Sequence, residues 1–426
     1  MRQVRSFNGV VRMLMVQQFT INTAFYMLMP YLAAHLADGL GMAAWAVGLV
    51  LGVRNLSQQG LFLIGGTLTD RLGCKRVIVA GCALRTAGFA ALGFGSSLPL
   101  LVAASAMTGF AGALFNPAVR AYLAAEAGEQ RVDAFAAFNV FYQAGMFAGP
   151  LVGLALLAFD FRAVCVVAAA LFAVLTAVQV RMLPDRLPAA GAAPEAEPGR
   201  GSVLADWRQV ISNRPFLLFS AAMIGSYVLS FQVYLSLPLQ AQESAGRHGR
   251  AVTSALFAVS ALVAAVGQVR ITAWAKARWS PEQALTRGLA VMGAAFAPLL
   301  LAGPLAGLGA GGTGRMLALV PLFGCAVLLA LGTATVYPFE MDTVVSLARG
   351  RLVATHYGLY NTVSGVGIAL ANPATGALWD ASHAAGHPAW LWSALTATGL
   401  LCALGMSLLA RTGRLHDARE AQLAAA

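Results

Sequence analysis

Long apolar runs separated by short polar connections fill most of this chain. Many of the runs are about 20 residues long, the length that a helix needs to cross roughly 30 Å of hydrocarbon. Spanning segments must be helical here, because backbone groups in lipid have to form their hydrogen bonds internally. Strands of a membrane barrel would give short segments of alternating polarity instead. The pattern predicts twelve spanning helices, at residues 10–36, 44–66, 76–95, 98–122, 134–158, 161–182, 214–238, 251–272, 284–308, 315–338, 353–378 and 389–411.

One polar connection, at residues 183–213, is much longer than the others. Its prolines lie among alanine and glycine, a composition that disfavours a packed core. Its later part, with Trp207, is expected to lie on the membrane surface as a short amphipathic helix. The segment divides the chain into an N-terminal six-helix bundle, a cytoplasmic linker, a C-terminal six-helix bundle and a cytoplasmic tail, at residues 1–182, 183–213, 214–411 and 412–426.

The composition agrees with a membrane protein. Of the 426 residues, 59% are hydrophobic and 11% are charged, whereas a soluble domain carries roughly 25% charged residues. The five cysteines form no CxxC pair and fall in or beside apolar runs, so we interpret them as small buried hydrophobes. No metal site, cofactor or disulfide is therefore expected, and the chain has no P-loop for ATP.

The net charge of +11 has a simple explanation in such a chain. Cytoplasmic loops of membrane proteins collect Lys and Arg, and no basic stripe with interleaved aromatic residues indicates nucleic-acid binding. Placing both termini in the cytoplasm leaves only Arg162, Arg247, Arg250 and Arg315 on the outer side. We expect a multi-pass protein of the bacterial inner membrane, with an uncleaved first helix rather than a signal peptide.

Two motifs indicate the family. A charge cluster in the segment from residue 66 to residue 76 must lie outside hydrocarbon, and it has the pattern Gly, three residues, Asp-Arg, one residue, Gly, then basic residues. A second motif, residues 145–153, has the pattern GxxxGPxxG. The first resembles the loop signature between helices 2 and 3 of the major facilitator superfamily, and the second resembles the antiporter signature of that superfamily.

Residues 51–60 and their flanks are similar to the multidrug-resistance H-type exporters, to which alcaligin-type siderophore exporters look related. The resemblance covers nearly the whole chain. It implies an all-α membrane protein with twelve transmembrane helices in two pseudo-symmetric six-helix bundles. A weak internal echo between residues 109–117 and 331–338 is consistent with parallel repeats. The implied activity is export from the cytoplasm driven by the proton gradient.

The first motif is expected to form a gating latch on the cytoplasmic side. Asp70 is expected near a helix N-terminus, whose dipole stabilises a carboxylate, and the basic residues are expected to pair with acids such as Glu126 or Glu129. The alternative is a plain positive-inside anchor. The latch residues are Gly66, Asp70, Arg71, Gly73, Lys75 and Arg76.

The second motif is expected to form a hinge. Glycines four residues apart share a helix face and let a neighbouring helix approach closely, while a proline removes a backbone donor. The alternative is an ordinary packing seam with no role in gating. The hinge residues are Gly145, Gly149, Pro150 and Gly153.

Two departures from the family pattern concern the latch and the coupling. Cys74 stands where the family has its first basic residue after the second loop glycine, so one latch pair is expected to be missing. Ser105 stands where a helix-4 arginine tied to proton coupling is common. Its absence puts the usual coupling mechanism in question.

Arg54 and Arg85 are the sharpest candidates for substrate contact, because a charge at a helix centre costs about 2.5–3.5 kcal/mol on insertion scales. They are expected to face protein or a water-filled cavity that repels cations, since no Asp or Glu is expected in the middle of a helix. The substrate is then neutral or anionic, such as a hydroxamate or a carboxylate. The alternative is a structural role. The predicted cavity residues are Gln18, Asn22, Arg54, Gln58, Arg85, Asn116, Arg120, Tyr142, Gln143, Tyr227, Gln232, Tyr337, Tyr360 and Asn361.

A proton antiporter also needs a group that titrates. The candidates are Asp70, Glu340, Asp342 and His356. Glu340 and Asp342 are expected just past the end of a helix. His356 has an intrinsic pKa in the right range, and the alternative for it is a solvated position with no role in coupling.

The leading hypothesis is a monomeric secondary transporter, not an enzyme, whose partners are a small-molecule substrate, protons and the lipid bilayer. It exports a siderophore-like metabolite by proton antiport with alternating access. The alternative is a broad multidrug efflux pump. A membrane-embedded enzyme is disfavoured because the six histidines are scattered and no paired-carboxylate site is evident. A receptor or channel fits the two motifs less well.

Overall fold

The computed structural model describes residues 7–184, 202–302 and 312–412, and every regular element within these ranges is helical. Residues 185–201 of the predicted linker, the tail from residue 413 and the end of the ninth predicted span lie outside the described residues. The helices are α1 Gly9–Tyr26, α2 Met29–Ala34, α3 Ala44–Gly60, α4 Phe62–Leu72, α5 Cys74–Phe94, α6 Leu98–Ala127, α7 Arg131–Leu157, α8 Phe161–Met182, α9 Val203–Ile211, α10 Arg214–Phe231, α11 Ser236–Ala245, α12 Gly249–Arg278, α13 Pro281–Ala294, α14 Gly312–Ala348, α15 Val353–Ala384 and α16 Ala389–Arg411.

Each of the twelve predicted spans overlaps helix. Within the described part of the chain, eight helical stretches can cross a membrane by length and composition, and α3 with α4, bent by 47° at their junction, can form a ninth. One of the eight, Leu98–Leu157, contains both α6 and α7, which are separated by a 3-10 turn. Polar residues dilute the hydropathy of α1 and α15, which are not in that set. Many large apolar side chains remain exposed on the helices, as expected of a protein surrounded by lipid.

Several helix boundaries differ from the sequence prediction. The segment expected to be a loop at residues 66–76 is almost entirely helical: α4 continues to Leu72 and α5 begins at Cys74. Gly73 alone makes the turn, at φ 88°, a backbone conformation that glycine adopts without steric cost. α14 continues ten residues beyond its predicted end at residue 338, through Pro338 to Ala348. A proline within a helix costs one hydrogen bond but did not end this one.

The described chain forms two compact units. The first contains residues 7–184, 202–214 and 344–362, so it includes the end of α14 and the start of α15. In this unit α5 packs against α6 and α8, α1 packs against α7, and α3 packs against α6. The second contains residues 215–302, 312–343 and 363–412, and there α13 packs against α16. The division at the predicted linker into two six-helix bundles stays a prediction.

Glycine lets the helices of each unit approach at the backbone. In the first unit, a Cβ added at Gly145, Gly149 or Gly153 of α7 would lie within 2.9 Å of a backbone oxygen in or just after α1. In the second unit, a Cβ added at Gly399 of α16 would lie 2.3 Å from the Cα atom of Gly293 in α13. These distances are far below van der Waals contact, so only glycine permits the observed packing. Pro150 lies in the same stretch of α7, and its carbonyl accepts a hydrogen bond from the Tyr31 hydroxyl at 2.8 Å. The role of this seam as a hinge stays a prediction.

Replacing Gly145 with alanine tests the seam. The new Cβ would meet the Phe19 carbonyl oxygen at 2.4 Å, and overpacking of this kind costs about 1–3 kcal/mol. We expect the melting temperature of the detergent-purified protein to fall. Gly52→Ala is the matched control, since nothing lies within 4 Å of a Cβ at that position of α3. Equal melting temperatures for the two variants would contradict the packing described here.

Candidate functional site

Arg54 and Arg85 lie beside the same aromatic ring in the first unit. The guanidinium carbon of Arg54 is 5.2 Å from the centroid of the Phe25 ring, and that of Arg85 is 5.0 Å from it. Arg54 is half-buried, and its guanidinium donates to Gln58 Oε1 at 3.3 Å and to Asn55 Oδ1. Arg54 of α3 and Arg85 of α5 therefore both place their positive charge beside the Phe25 ring.

Arg85 is the more deeply buried of the two, with 6% of its surface exposed. A second ring, Phe172, lies 5.4 Å from its guanidinium carbon. Its one hydrogen bond is a long one, from Nη2 to the Thr108 carbonyl oxygen at 3.5 Å, and Nε has no partner. Among the described residues neither Arg54 nor Arg85 makes an ion pair. A buried guanidinium normally has its donors occupied, so this one has unused binding capacity.

Gly112 of α6 makes room for this arrangement. A Cβ added there would lie 2.8 Å from Arg85 Nη2 and 3.1 Å from Gln58 Cδ. Arg85 also reaches the backbone of α6 within one turn of Ser105, whose buried hydroxyl has no partner. A positive charge on α5 thus lies beside the part of α6 where the family resemblance led us to expect an arginine.

Other predicted cavity residues of the first unit lie on α1 and α7. Asn22 is buried and donates from Nδ2 to the Tyr142 carbonyl oxygen at 3.3 Å. The Tyr142 hydroxyl lies 3.4 Å from that of Tyr26. Gln18 is buried, and Gln143 is half-buried with its Oε1 unpartnered.

A second polar contact in the first unit joins α6 to the start of α15. Arg120 Nη1 donates to Asn361 Oδ1 at 2.8 Å, and Asn361 Nδ2 donates to the Tyr357 carbonyl oxygen at 2.8 Å. Tyr360, the residue before Asn361, is fully buried, and Asn116 of α6 is half-buried. The structure thus pairs Arg120 with Asn361, two candidates that the sequence could place only on separate helices.

Three predicted cavity residues belong to the second unit. Tyr227 and Tyr337 are half-buried, on α10 and α14. Gln232 is fully buried just after α10, where Nε2 donates to the Val228 carbonyl oxygen at 3.0 Å and Oε1 has no partner. Their membership of one substrate cavity with the first-unit residues stays a prediction.

Asp70 lies at the N-terminus of α15. Its carboxylate accepts hydrogen bonds from the backbone N–H of Ala354 at 3.2 Å, from that of Thr355 at 2.7 Å and from the Thr355 hydroxyl at 2.6 Å. The first amides of a helix have no partner within the helix and carry its positive dipole end. The Asp70 carboxylate therefore caps α15 in the way that a Ser, Asp or Asn side chain at the N-cap position of a helix does.

Two glycines bring α4 and α15 close enough for this contact. A Cβ added at Gly66 would lie 2.2 Å from the Ala354 carbonyl oxygen, and one added at Gly358 would lie 2.4 Å from the Phe62 carbonyl oxygen. Gly66 and Gly73 thus have identifiable structural reasons, close packing and the turn respectively. The role of the motif as a gating latch stays a prediction.

Arg71 pairs with an acid that the sequence did not select, and the pairing of the basic latch residues with Glu126 or Glu129 stays a prediction. Arg71 Nε and Nη2 donate to Asp206 Oδ2 at 2.9 and 2.7 Å. Glu126 accepts a hydrogen bond from Asn8 Nδ2 at 3.1 Å. Asp206 lies on α9, a helix expected on the membrane surface. The sequence missed this partner because Asp206 lies in the later part of the predicted linker, 135 residues away.

Helix α9 packs on α4 through a second contact. Trp207 Nε1 donates to Thr67 Oγ1 at 2.8 Å. The short helix is capped by Ser202, whose side chain accepts from the Ala205 N–H. The other basic latch residues, Lys75 and Arg76, are half-buried and exposed, respectively. Cys74 is fully buried in the position where the family has a basic residue.

The positions predicted for Glu340 and Asp342, the two acidic candidates for carrying the proton on α14, were wrong. Because α14 extends to Ala348, Glu340 and Asp342 lie inside the helix rather than past its end, and each is 3% exposed. They are buried carboxylates within a long helix, contrary to the expectation that helices carry acids only beyond their ends.

His356 is also buried, with 3% of its surface exposed, so a simply solvated histidine is wrong. Its Nδ1 lies 2.8 Å from the Leu352 carbonyl oxygen, and its Nε2 lies 3.3 Å from Asn213 Nδ2. A carbonyl oxygen can only accept and an amide nitrogen can only donate, which places the proton on Nδ1 and leaves Nε2 as the acceptor. Proton uptake at Nε2 would therefore break the hydrogen bond from Asn213.

Sequence reasoning missed several residues of this site. Phe25 and Phe172 carry no signal that separates them from core aromatic residues. Gly358 and Gly112 look like the many other glycines of membrane helices. Asn213, just before α10, was a detectable signal, since it is a polar residue at a helix start, and it donates to the Leu347 carbonyl oxygen at 2.9 Å.

Substitution of Asp70 by alanine tests the cap of α15. Removing the carboxylate leaves the Ala354 and Thr355 amides unpaired, and each unsatisfied buried donor costs about 1–3 kcal/mol. We expect faster hydrogen exchange at these two amides and a lower melting temperature. Asp160→Ala is the control, because Asp160 stands at the N-cap of α8 with no capping hydrogen bond. Unchanged exchange at Ala354 and Thr355 would exclude the cap.

The contacts of α9 can be tested separately. Asp206→Ala removes a partly exposed ion pair worth about 0.2–1 kcal/mol, and Trp207→Phe removes a hydrogen bond worth about 0.5–1.5 kcal/mol. We expect the amides of residues 203–211 to exchange faster in each variant and fastest in the double variant. Arg208→Gln, an exposed change on the same helix, should leave their exchange rates as they are. Equal protection in all four proteins would show that α9 is held by other means.

The Major Facilitator Superfamily profile matches residues 14–372. An uncharacterised MFS-type transporter of Mycobacterium tuberculosis is 50% identical over 405 residues, which is 95% of this chain and 94% of that protein. The multidrug resistance protein MdtH of Klebsiella pneumoniae is 31% identical, over 92% of each chain.

Two solved structures show the same fold at low sequence identity. The fucose:proton symporter FucP of E. coli superposes with a TM-score of 0.67 at 14% identity, and the human organic anion transporter MFSD10 with a TM-score of 0.64 at 17% identity. Each alignment covers 94% of this chain and 98% of the other. These matches agree with the helical architecture and confirm the predicted fold class. The chain belongs to the Major Facilitator Superfamily of membrane transporters.

Proposed function

We propose that this transporter exports a small organic molecule, neutral or anionic and siderophore-like, from the cytoplasm. The observation that carries the choice of substrate is the pair formed by Arg54 and Arg85, which share the Phe25 ring and make no ion pair among the described residues. A positive site of this kind repels a lipophilic cation and attracts an acidic or strongly polar molecule. The protein is then a carrier and not an enzyme.

The export direction and proton antiport are further parts of the proposal. The relatives named as multidrug resistance proteins support export. In this mechanism Asp70 and its latch hold one state closed and the seam acts as the hinge of alternating access. The proton is carried by Asp70, Glu340, Asp342 or His356.

The setting follows from the same reasoning. An inner-membrane protein with both termini in the cytoplasm fits the distribution of Lys and Arg. The monomeric state and one six-helix bundle on each side of the linker are further parts of the proposal. The alternative is a broad multidrug efflux pump, which the 31% identical multidrug resistance protein favours.

Transport into everted membrane vesicles tests the proposal. We expect an interior-acid pH gradient to drive uptake of a neutral hydroxamate siderophore and not of the cationic dye ethidium. Nigericin, which collapses the pH gradient, should abolish that uptake. Arg54→Ala, at a membrane level equal to the parent, should lower uptake by about tenfold, the loss of one charge-assisted contact of about 1.5 kcal/mol.

Each alternative has its own outcome in these vesicles. Uptake of ethidium at the rate of the hydroxamate would favour the multidrug pump. Uptake that survives nigericin would exclude proton antiport. Undiminished uptake by Arg54→Ala would remove that arginine from the mechanism, and Arg278→Gln, a change at the end of α12, controls for a general effect of lost charge.

A further inference from the structure

We infer that Arg54, Arg85 and Phe25 form a recognition site for an organic carboxylate attached to a flat aromatic ring. The inference deepens the proposed function, on which its transport meaning rests, by naming the class of molecule that the arginine pair binds. It is carried by the unused donors of Arg85, by the Phe25 ring that the two arginines share, and by the packing of Arg85 against Gly112.

The first step is the state of the Arg85 guanidinium. The ring centroids of Phe25 and Phe172 lie 5.0 and 5.4 Å from its central carbon. Aromatic faces stabilise the positive charge, yet they do not occupy the N–H groups that point outward in the guanidinium plane. With Nε unpartnered and only the long bond to Thr108, the edge of the guanidinium is left for an acceptor. Carboxylates fit that edge with two parallel hydrogen bonds.

The second step is the proximity of two like charges. Arg54 and Arg85 both lie within 5.2 Å of one ring centroid, so they repel each other in a region of low dielectric. Neither has a carboxylate partner among the described residues. A bound anion would relieve the repulsion, and a carboxylate has enough lone pairs to accept from both groups. Gln58, which accepts from Arg54, lies with Arg85 Nη2 against Gly112, so the side chains of both arginines converge on one position of α6.

The third step concerns the remainder of the ligand. Phe25 belongs to an aromatic cluster: its ring packs edge-to-face on Tyr26 at 5.2 Å and lies 6.4 Å from Phe89, which packs on Phe172 at 5.4 Å. Phe89 and Phe172 are buried, whereas Phe25 and Tyr26 keep accessible surface. A flat aromatic group can stack on that surface while its acid reaches the guanidinium groups. An aliphatic acid would gain less from it.

Binding to the purified full-length protein in detergent tests the inference, with 1-naphthoate, neutral 1-naphthamide, cationic 1-naphthylmethylammonium and acetate as probes in calorimetric titrations. We expect 1-naphthoate to bind at least about tenfold more tightly than each of the other three, the equivalent of one good charged contact. Arg54→Gln should lower the affinity for 1-naphthoate by about tenfold and leave that for 1-naphthamide as it is. Arg278→Gln should change neither.

A pair of glycine variants keeps the test informative if substitution of the buried Arg85 prevents folding. Gly112→Ala retains both charges, but its Cβ would displace the Arg85 Nη2 atom, from which it would lie 2.8 Å away. We expect it to weaken 1-naphthoate binding by at least about fivefold. Gly52→Ala, with open space around its Cβ, should bind like the parent.

Three results would overturn the inference. The amide or the ammonium probe could bind as tightly as 1-naphthoate, acetate could match it, or Arg54→Gln and Gly112→Ala could both bind like the parent. The titration needs neither a gradient nor a direction of transport. Failed export with intact 1-naphthoate binding therefore refutes the proposed function alone, and hydroxamate export without 1-naphthoate binding refutes this inference alone.

Discussion

The need to satisfy charge away from water governs this structure. Asp70 meets the need by accepting from the first amides of α15, and Arg71 meets it by pairing with Asp206. Arg85 meets it only in part, because aromatic rings and one long hydrogen bond surround it. A buried charge with incomplete compensation is costly. A transporter can use this incomplete compensation, because a ligand that supplies the missing hydrogen-bond acceptor gains affinity from it.

Close backbone packing makes these contacts possible. Gly66 and Gly358 let α4 and α15 approach until the Asp70 carboxylate reaches the helix start. Gly112 leaves the volume into which the Arg85 guanidinium extends. In lipid, apolar side chains gain little by leaving the surrounding solvent, so helices associate through small residues and polar contacts. The glycines of this chain therefore do two jobs: they hold helices together, and they set where charged groups can meet.

Helix α9, in the predicted linker, makes both an ion pair and a hydrogen bond to α4. Asp206 and Trp207 contact α4 within four residues of Asp70, at Arg71 and Thr67. Whatever moves α4 during transport must therefore also move α9 or break these contacts. The later part of the long polar connection is thus structurally tied to the family motif through contacts with α4.

The sequence by itself determined the fold class and the family. Apolar runs of spanning length admit only helices in lipid, and the two motifs identified the superfamily to which the chain belongs. It also selected Arg54, Arg85 and Asp70, because charge within an apolar run is conspicuous. It misjudged the ends of α4 and α14, since a charge cluster or a proline indicates a break that tertiary packing can override.

Only the tertiary structure decided which groups meet. It placed Asp206 on Arg71, Asn361 on Arg120, and one phenylalanine beside two arginines. The physical reason is that hydropathy and periodicity specify how each helix lies with respect to lipid, whereas partners far apart in the chain are set by how glycine faces and side-chain volumes fit together. A single sequence carries no direct signal of that fit.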